Sequence, residues 1–175
     1  MNVGADSPEE YGDYFAWGET TTKSSYDWST YKWCNGSSSS LTKYCICSSY
    51  GTVDNKTTLD LSDDAAYVNW GSSWRMPTYA ELKELKDNCT WTWTTQNGVN
   101  GYKVTGPNGN SIFLPATGYM YEGALDWAGS YGRYWSSSLY TNGPHWAYTV
   151  YIDSPYMDWS GNYRDFGQSV RPVYQ

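Results

Sequence analysis

The sequence is short of positive charge. It contains 11 Lys and Arg residues against 18 Asp and Glu residues, which gives a formal net charge of -7 at pH 7. No run of basic residues interrupts this balance. Domains that bind nucleic acids usually carry a basic patch that neutralises phosphate groups. We therefore expect no nucleic acid partner.

Long apolar runs are also missing. No stretch approaches the ~20 consecutive apolar residues that a helix needs to cross a bilayer. Residues 1–13 have neither the basic region nor the apolar region of a secretory signal peptide. The sequence therefore predicts no direct membrane insertion, and an exported form would depend on a signal that is not contained in these 175 residues.

Residues that bind metals or act as nucleophiles are few. The chain has four cysteines and one histidine, His145, and no Cys-x-x-Cys motif. This argues against a zinc site. Cys34, Cys45, Cys47 and Cys89 allow three disulfide pairings, of which a bond between the closely spaced Cys45 and Cys47 is disfavoured. We expect disulfides in preference to free thiols, and both in preference to a metal site; no cofactor is predicted.

Aromatic residues with a polar atom are abundant. The chain has 19 Tyr and 11 Trp residues but 3 Phe residues, together with 17 Gly residues. Tyr, Trp, Ser, Gly and Asn are the residues that antibody combining sites use, because they combine large contact areas with hydrogen bonds. The alternative is that large rings fill the core of a small β-rich fold, and we assign roughly half of them to that role.

Two short helices are predicted in the first half of the chain. Ser62 is the expected N-cap of a two-turn helix that Gly71 ends. A second helix is predicted after Thr78, because Glu81 follows three residues later at the spacing of a capping box. The Trp74–Pro77 segment before it is interpreted as scaffold.

After Cys89 the hydrophobic pattern has a period of two residues. Several short strands separated by Asn-Gly, Gly-Pro and Gly-Asn turn signals are predicted from this pattern. Pro115 and Pro172 are expected at strand edges or ends, because proline cannot donate to a strand ladder. Helices followed by a β-rich region predict the α+β class.

Five segments carry a resemblance to a known family. Residues 11–20 (YGDYFAWGET), 63–78 (DDAAYVNWGSSWRMPT), 108–119 (NGNSIFLPATGY), 132–138 (GRYWSSS) and 167–173 (GQSVRPV) resemble the major paralogous domain family first named from Fibrobacter. That family has the fold of C-type lectins and of the formylglycine-generating enzyme. The resemblance implies a single C-type-lectin-like domain over residues 1–175, with two short helices packed on twisted, mainly antiparallel sheets and long loops.

Residues 134–173 have a second, narrower resemblance. They are similar to the variable region of the proteins that diversity-generating retroelements target, in which adenine-directed mutagenesis diversifies a surface on this fold. Strict alternation in the strand WAYTVYID places Thr149, Tyr151 and Asp153 on a polar face opposite Val150 and Ile152. We predict that this polar face and the neighbouring loops bind a ligand. The remaining candidate residues are Tyr140, Asn142, His145, Trp146, Tyr156, Asp158, Trp159, Asn162, Tyr163, Asp165 and Phe166, where the two tryptophans cannot arise from the asparagine codon AAC by adenine changes alone.

The resemblances imply a receptor-type or adhesin-type domain that recognises a protein or glycan ligand on a cell surface. Such a domain would be extracellular, on a cell surface or on a phage particle. The alternatives are a structural surface domain without diversification and a relative of the formylglycine-generating enzyme. That enzyme needs a pair of reactive cysteines late in the chain, and no cysteine follows Cys89. The triplets of calcium-dependent sugar-binding lectins are absent as well, so we expect neither catalysis nor a calcium site.

Overall fold

The computed structural model describes residues 1–175 and contains two α-helices and ten β-strands. A single 3-10 turn, Leu61–Asp63, precedes α1 (Ala65–Trp70), and α2 covers Tyr79–Asn88. The strands are β1 (Trp74–Arg75), β2 (Thr90–Gln96), β3 (Val99–Thr105), β4 (Ser111–Pro115), β5 (Tyr119–Tyr121), β6 (Ala124–Asp126), β7 (Tyr131–Leu139), β8 (Trp146–Asp153), β9 (Met157–Tyr163) and β10 (Val173–Tyr174).

The strands form four small sheets in which every pair is antiparallel. The two largest have the orders β2-β3-β4 and β7-β8-β9, and two-stranded sheets pair β1 with β10 and β5 with β6. Two short helices combined with mainly antiparallel sheets confirm the α+β prediction. Pro115 ends the edge strand β4 as expected, since a proline there leaves the ladder intact.

The starts of the two helices differ in how well the sequence predicted them. Thr78 and Glu81 form the predicted capping box of α2. Arg75 donates hydrogen bonds to both carboxylate oxygens of Glu81 at 2.7 and 2.6 Å, which fits the scaffold interpretation of this segment. The prediction that Ser62 caps α1 is wrong. Asp64 is the cap, because its carboxylate accepts hydrogen bonds from the first backbone amides of the helix.

Two hydrophobic cores share strand β7. In the first core, Trp17 and Trp135 are fully buried beside residues from both ends of the chain. In the second, Leu82 of α2 packs with Tyr134 and with Val150 and Ile152 of β8. Consecutive residues of β7 therefore point into different cores, as the alternation of a strand requires. Large rings supply much of the buried volume of both cores.

The irregular first sixty residues are tied to β7 by indole hydrogen bonds. Trp17 Nε1 donates to the Ser136 carbonyl at 2.8 Å, and Trp135 Nε1 donates to the Phe15 carbonyl at 2.8 Å. Phe15 also forms a β-bridge with Gln168. These buried contacts fix a segment that has almost no regular secondary structure of its own.

All four cysteines are free thiols, so the preference for disulfides is wrong. The Sγ atoms of Cys34 and Cys45 donate to backbone carbonyls instead of meeting one another. Cys47 is exposed, and Cys89 lies at the end of α2 against the second core. None of the helices has the length and apolar character needed to span a membrane.

Candidate functional site

The start of β8 and the end of β9 bring aromatic side chains onto one surface. Trp146 lies opposite Tyr163, and Val150 lies opposite Trp159. Opposed residues of an antiparallel pair project from the same face of the sheet, as do alternate residues of one strand. Tyr148 therefore shares this face. We define the aromatic patch as Tyr140, His145, Trp146, Tyr148, Trp159 and Tyr163.

The rings of the patch contact one another. The ring centroid of Tyr140 lies 4.9 Å from that of Tyr148 and 5.6 Å from that of Trp146. Trp146 meets Tyr163 edge-on at 5.5 Å, and Tyr79 of α2 stacks on Tyr148 at 4.0 Å. Such separations are typical of favourable aromatic pairs. Each ring is therefore held in place by its neighbours.

A glycine on β9 makes room for these rings. A Cβ atom on Gly161 would lie 3.0 Å from Trp146 Cε3 and 3.0 Å from the Tyr140 ring. That separation is too short for a carbon contact without displacement of a ring. Gly161 therefore allows Tyr140 and Trp146 to lie directly over the backbone of the edge strand β9.

The patch carries little charge of its own. His145 stacks on Tyr50 with ring centroids 4.7 Å apart, and burial together with the nearby Arg164 lowers its pKa. Burial therefore favours the neutral imidazole. His145 Nδ1 and Trp146 Nε1 are buried and have no hydrogen-bond partner.

Asp158 lies beside the patch and is already paired. Its Oδ1 atom is 2.6 Å from Lys86 Nζ of α2, and this hydrogen bond lowers the pKa of the carboxyl group. The pair connects β9 to α2 at the partly exposed edge of the sheet. No group of three or more His, Cys, Asp or Glu side chains is placed so that it could hold a metal ion.

The predicted site residues fall into three classes of exposure. The exposed ones are Asn142, Tyr156 and Tyr163. The partly exposed ones are Tyr140, His145, Trp146, Tyr151, Asp153, Asp158, Trp159 and Phe166. The buried ones are Thr149, Asn162 and Asp165.

Thr149 is wrongly assigned to a solvent face. It is 0% exposed, and its hydroxyl donates to Gln168 Oε1 at 2.6 Å. The reason is that β8 passes between the two cores. Ala147 belongs to the first core and lies on the same face as Thr149, whereas Val150 and Ile152 on the opposite face belong to the second core, as predicted. Strict alternation gave the right faces but could not show that both are covered.

Asn162 and Asp165 are also wrongly predicted to reach a ligand. Asn162 lies opposite Ala147 on the face that points to the first core. Asp165 is 1% exposed, and burial raises its pKa to about 7. After Tyr163 the chain turns inward, and residues 164–165 and 167–170 are buried. These polar side chains are therefore part of the interior.

Tyr151, Asp153 and Tyr156 lie at the other end of β8, away from the patch. Tyr151 stacks between Tyr131 and Tyr156 at centroid distances of 6.0 and 6.2 Å. The predicted site residues therefore do not form one surface. Phe166 lies beside the patch, with its ring centroid 6.0 Å from that of Tyr163 and 5.7 Å from that of Tyr119.

Comparison with known proteins gives one family. A family model described as "Domain of unknown function (DUF8237)" matches residues 78–173, which is more than half of the chain. The chain belongs to the DUF8237 family. No curated protein matches it, and no solved structure matches it. The DUF8237 segment starts at the N-cap of α2 and ends at the first residue of β10.

Within the DUF8237 segment, sequence reasoning missed Tyr79 and Tyr148 of the patch region. Tyr148 alternates with Val150 and Ile152 and shares their face of β8. That face is covered only beside Val150 and Ile152, so Tyr148 stays partly exposed. Several predicted loop positions, among them Asp158, Trp159, Asn162 and Tyr163, lie on strand β9.

Proposed function

We propose that this chain is a ligand-binding domain that recognises a protein or a glycan on a cell surface through the aromatic patch. The observation that carries the proposal is the contact network of partly exposed rings at one end of β8 and β9. Trp159 also packs against the second core, but the other five patch residues belong to neither core, so burial in the interior does not account for them. Large rings exposed as one group are typical of recognition surfaces.

The packing of the patch suits binding. Tyr148 stacks on Tyr79 and meets Tyr140 edge-on, so little side-chain entropy would be lost when a ligand contacts these rings. Tyr163 is 40% exposed and offers a ring face together with a hydroxyl group. Stacking on a sugar face or on an apolar protein surface would supply most of the affinity, while nearby polar groups would fix the orientation.

The proposed fold is C-type-lectin-like, as a single domain over residues 1–175. The support is the order of the five motifs named above, together with two short helices on antiparallel sheets and a long irregular N-terminal part. The same resemblance supports an extracellular location on a cell or on a phage particle, and a binding role instead of catalysis.

We also propose that part of residues 134–173 is diversified by a retroelement. Buried Thr149, Asn162 and Asp165 would then be poor positions for variation, because a new side chain there would meet the core. Exposed and partly exposed positions such as Tyr140, Asn142 and Tyr163 would tolerate it. The test is the DNA downstream of the gene, which should contain a near-identical copy of the segment encoding residues 134–173, differing mainly at adenines, with a reverse transcriptase gene beside it. Absence of both would leave a surface domain without diversification.

The binding role is tested with purified protein on glycan and protein arrays. For any ligand found, Tyr163→Ala should weaken binding by roughly 10-fold or more, as expected for an aromatic anchor. The melting temperature should change little, because Tyr163 is exposed and lies on an edge strand.

Tyr174→Ala is the matched control. Tyr174 is 72% exposed and lies on β10, outside the patch. Its substitution should leave both binding and stability unchanged. If both variants bind the array ligand as tightly as the wild-type protein, the aromatic patch is not the recognition surface.

A further inference from the structure

A cavity of about 590 Å³ lies at the opposite end of β8 from the aromatic patch. The eight residues of β8 put the two ends about 23 Å apart at the usual rise per residue. The rings of Trp93, Tyr119, Trp127 and Tyr131 form much of its wall, with Arg133 among them. Its volume is in the range of binding sites for small molecules.

Arg133 is a cation without an anionic partner. Its guanidinium carbon lies 5.2 Å from the Tyr131 ring centroid and 5.7 Å from that of Tyr119. Its Nε and Nη1 atoms are buried and have no hydrogen-bond partner, whereas Nη2 is not among the buried atoms. Arg133 belongs to none of the ion pairs in the chain. The two tyrosine rings offset part of the cost of burying the charge but accept none of its N–H groups in the plane of the guanidinium.

An anion in the cavity can pair with this guanidinium through Nη2, the nitrogen that is not buried. A buried donor without a partner costs about 1–3 kcal/mol, and more when the group is charged. Arginine stays protonated at any physiological pH, so it cannot avoid this cost by losing its charge. A hydrogen bond between a guanidinium N–H and a carboxylate oxygen is charge-assisted and is stronger than a neutral one.

The remaining polar groups of the wall point to a ligand that also has hydroxyl groups. Asp153 and Ser130 line the same cavity, and Asn100 lies beside them. A carboxylate such as Asp153 accepts hydrogen bonds from hydroxyl groups and repels a second negative charge. This arrangement disfavours multivalent anions such as sulfate or phosphate, and it suits one carboxylate and several hydroxyls on a single molecule.

Trp127 adds a platform for a ring. It is 66% exposed, and its backbone has φ of 61°, which is uncommon for a large side chain. Hydrogen bonds to its carbonyl from the Tyr131 amide at 3.0 Å and from the Ser130 hydroxyl at 3.1 Å hold this turn. An exposed indole on the rim of a cavity provides an apolar face against which the C–H face of a sugar can stack.

We infer that this cavity binds a carboxylated sugar, with the carboxylate on Arg133, hydroxyl groups on Asp153 and Ser130, and the sugar ring against Trp127. The site goes beyond the recognition surface proposed above, because it is formed by other residues at the far end of β8. It can be present whether or not the aromatic patch binds a ligand.

The test is titration calorimetry with the methyl glycoside of glucuronic acid. The methyl glycoside of glucose is the neutral probe, and inorganic sulfate is the anion without hydroxyl groups. We expect the uronide to bind at least ~10-fold more tightly than either, since it alone engages both the charged group and the hydroxyl acceptors. Equal binding of the neutral glycoside, equal binding of sulfate, or no binding of the uronide would overturn the inference.

Two variants test whether the uronide binds in this cavity. Arg133→Gln should weaken uronide binding roughly 10- to 100-fold, as expected for loss of a charge-assisted pair. Trp127→Asn is the second variant in case Arg133→Gln fails to fold, because asparagine accepts a left-handed backbone and the indole is exposed. It should also weaken binding, whereas Tyr174→Ala and the patch variant Tyr163→Ala should not. Wild-type affinity in Trp127→Asn, or in a folded Arg133→Gln, would overturn the inference.

Discussion

Arg164 lies with its guanidinium carbon 4.9 Å from the centroid of the Trp17 ring, and both side chains are fully buried. No carboxylate balances the charge. The guanidinium instead donates to the carbonyls of Lys43, Tyr44 and Pro144 at 3.0, 3.0 and 2.8 Å. One residue that follows β9 therefore connects the loop before β8 to the irregular N-terminal part of the chain.

Arg164→Met should be strongly destabilising. The substitution keeps an unbranched side chain but leaves several buried carbonyls without a donor, at about 1–3 kcal/mol each. We expect a loss of roughly 3 kcal/mol or more in the free energy of unfolding, measured by urea denaturation. Arg75→Met is the control, because the ion pair of Arg75 with Glu81 is partly exposed and is expected to contribute about 1 kcal/mol or less. Equal losses in the two variants would mean that Arg164 has no special structural role.

Thr149→Val should reduce stability although the two side chains have the same shape. The change removes the donor to Gln168 Oε1 and leaves a buried amide oxygen unpaired, which costs about 1–3 kcal/mol. Tyr156→Ala should change the free energy of unfolding by no more than about 0.5 kcal/mol, because Tyr156 is 55% exposed. Thermal denaturation of both variants checks the assignment of Thr149 to the interior and of Tyr156 to the surface. A neutral Thr149→Val would contradict it.

Gly161→Ala should disturb the aromatic patch. The new methyl group would lie 3.0 Å from the rings of Trp146 and Tyr140, so at least one ring has to move. We expect a loss of about 1–3 kcal/mol from this overpacking. Chemical shifts of the Trp146 indole should change, and binding of any array ligand should weaken. A second glycine, Gly109, cannot provide the control, because its φ of 82° already disfavours alanine. The control is therefore Ser160→Ala, which lies on the same strand as Gly161.

Asp165 should make the protein less stable as the pH rises. Burial raises the pKa of this carboxyl group from 3.8 to about 7, so between about pH 4 and pH 7 the folded state holds the proton more tightly than the unfolded state. The free energy of unfolding therefore falls through this range. Asp165→Asn keeps a neutral side chain and should be more stable than the wild type at pH 8, with the difference shrinking towards pH 4. Glu84→Gln, at an exposed position, is the control in the same denaturation series.

The four free thiols should be measurable directly. Under denaturing conditions without reductant, a thiol reagent should titrate all four cysteines. In the folded protein Cys47 should react first, because it is exposed and a hydrogen bond with Ser49 lowers its pKa. Cys45 should react slowest, since it is 0% exposed. A Cys47→Ser variant that still shows the fast phase would contradict this order.

The sequence by itself determined the features that depend on neighbouring residues. The capping box of Thr78 and Glu81 and a series of short strands after Cys89 were predicted correctly, because each follows from local hydrogen bonding or from backbone alternation. The sequence did not predict the free thiols, the N-cap of α1 or strand β9 correctly. Asp64 and Ser62 are both residue types that cap helices well. Which of them is the N-cap depends on where the folded backbone enters the helix.

Only the tertiary structure decided which faces of β8 are covered. Alternation separates Thr149 from Val150 correctly, but burial depends on what packs against each half of the strand. The first core covers Ala147 and Thr149, the second covers Val150 and Ile152, and Tyr148 is left partly exposed. Likewise, nothing local distinguishes Arg133 beside a cavity from Arg164 inside a core. Coverage arises from contacts between residues far apart in the chain, and such contacts leave no periodic trace in the sequence.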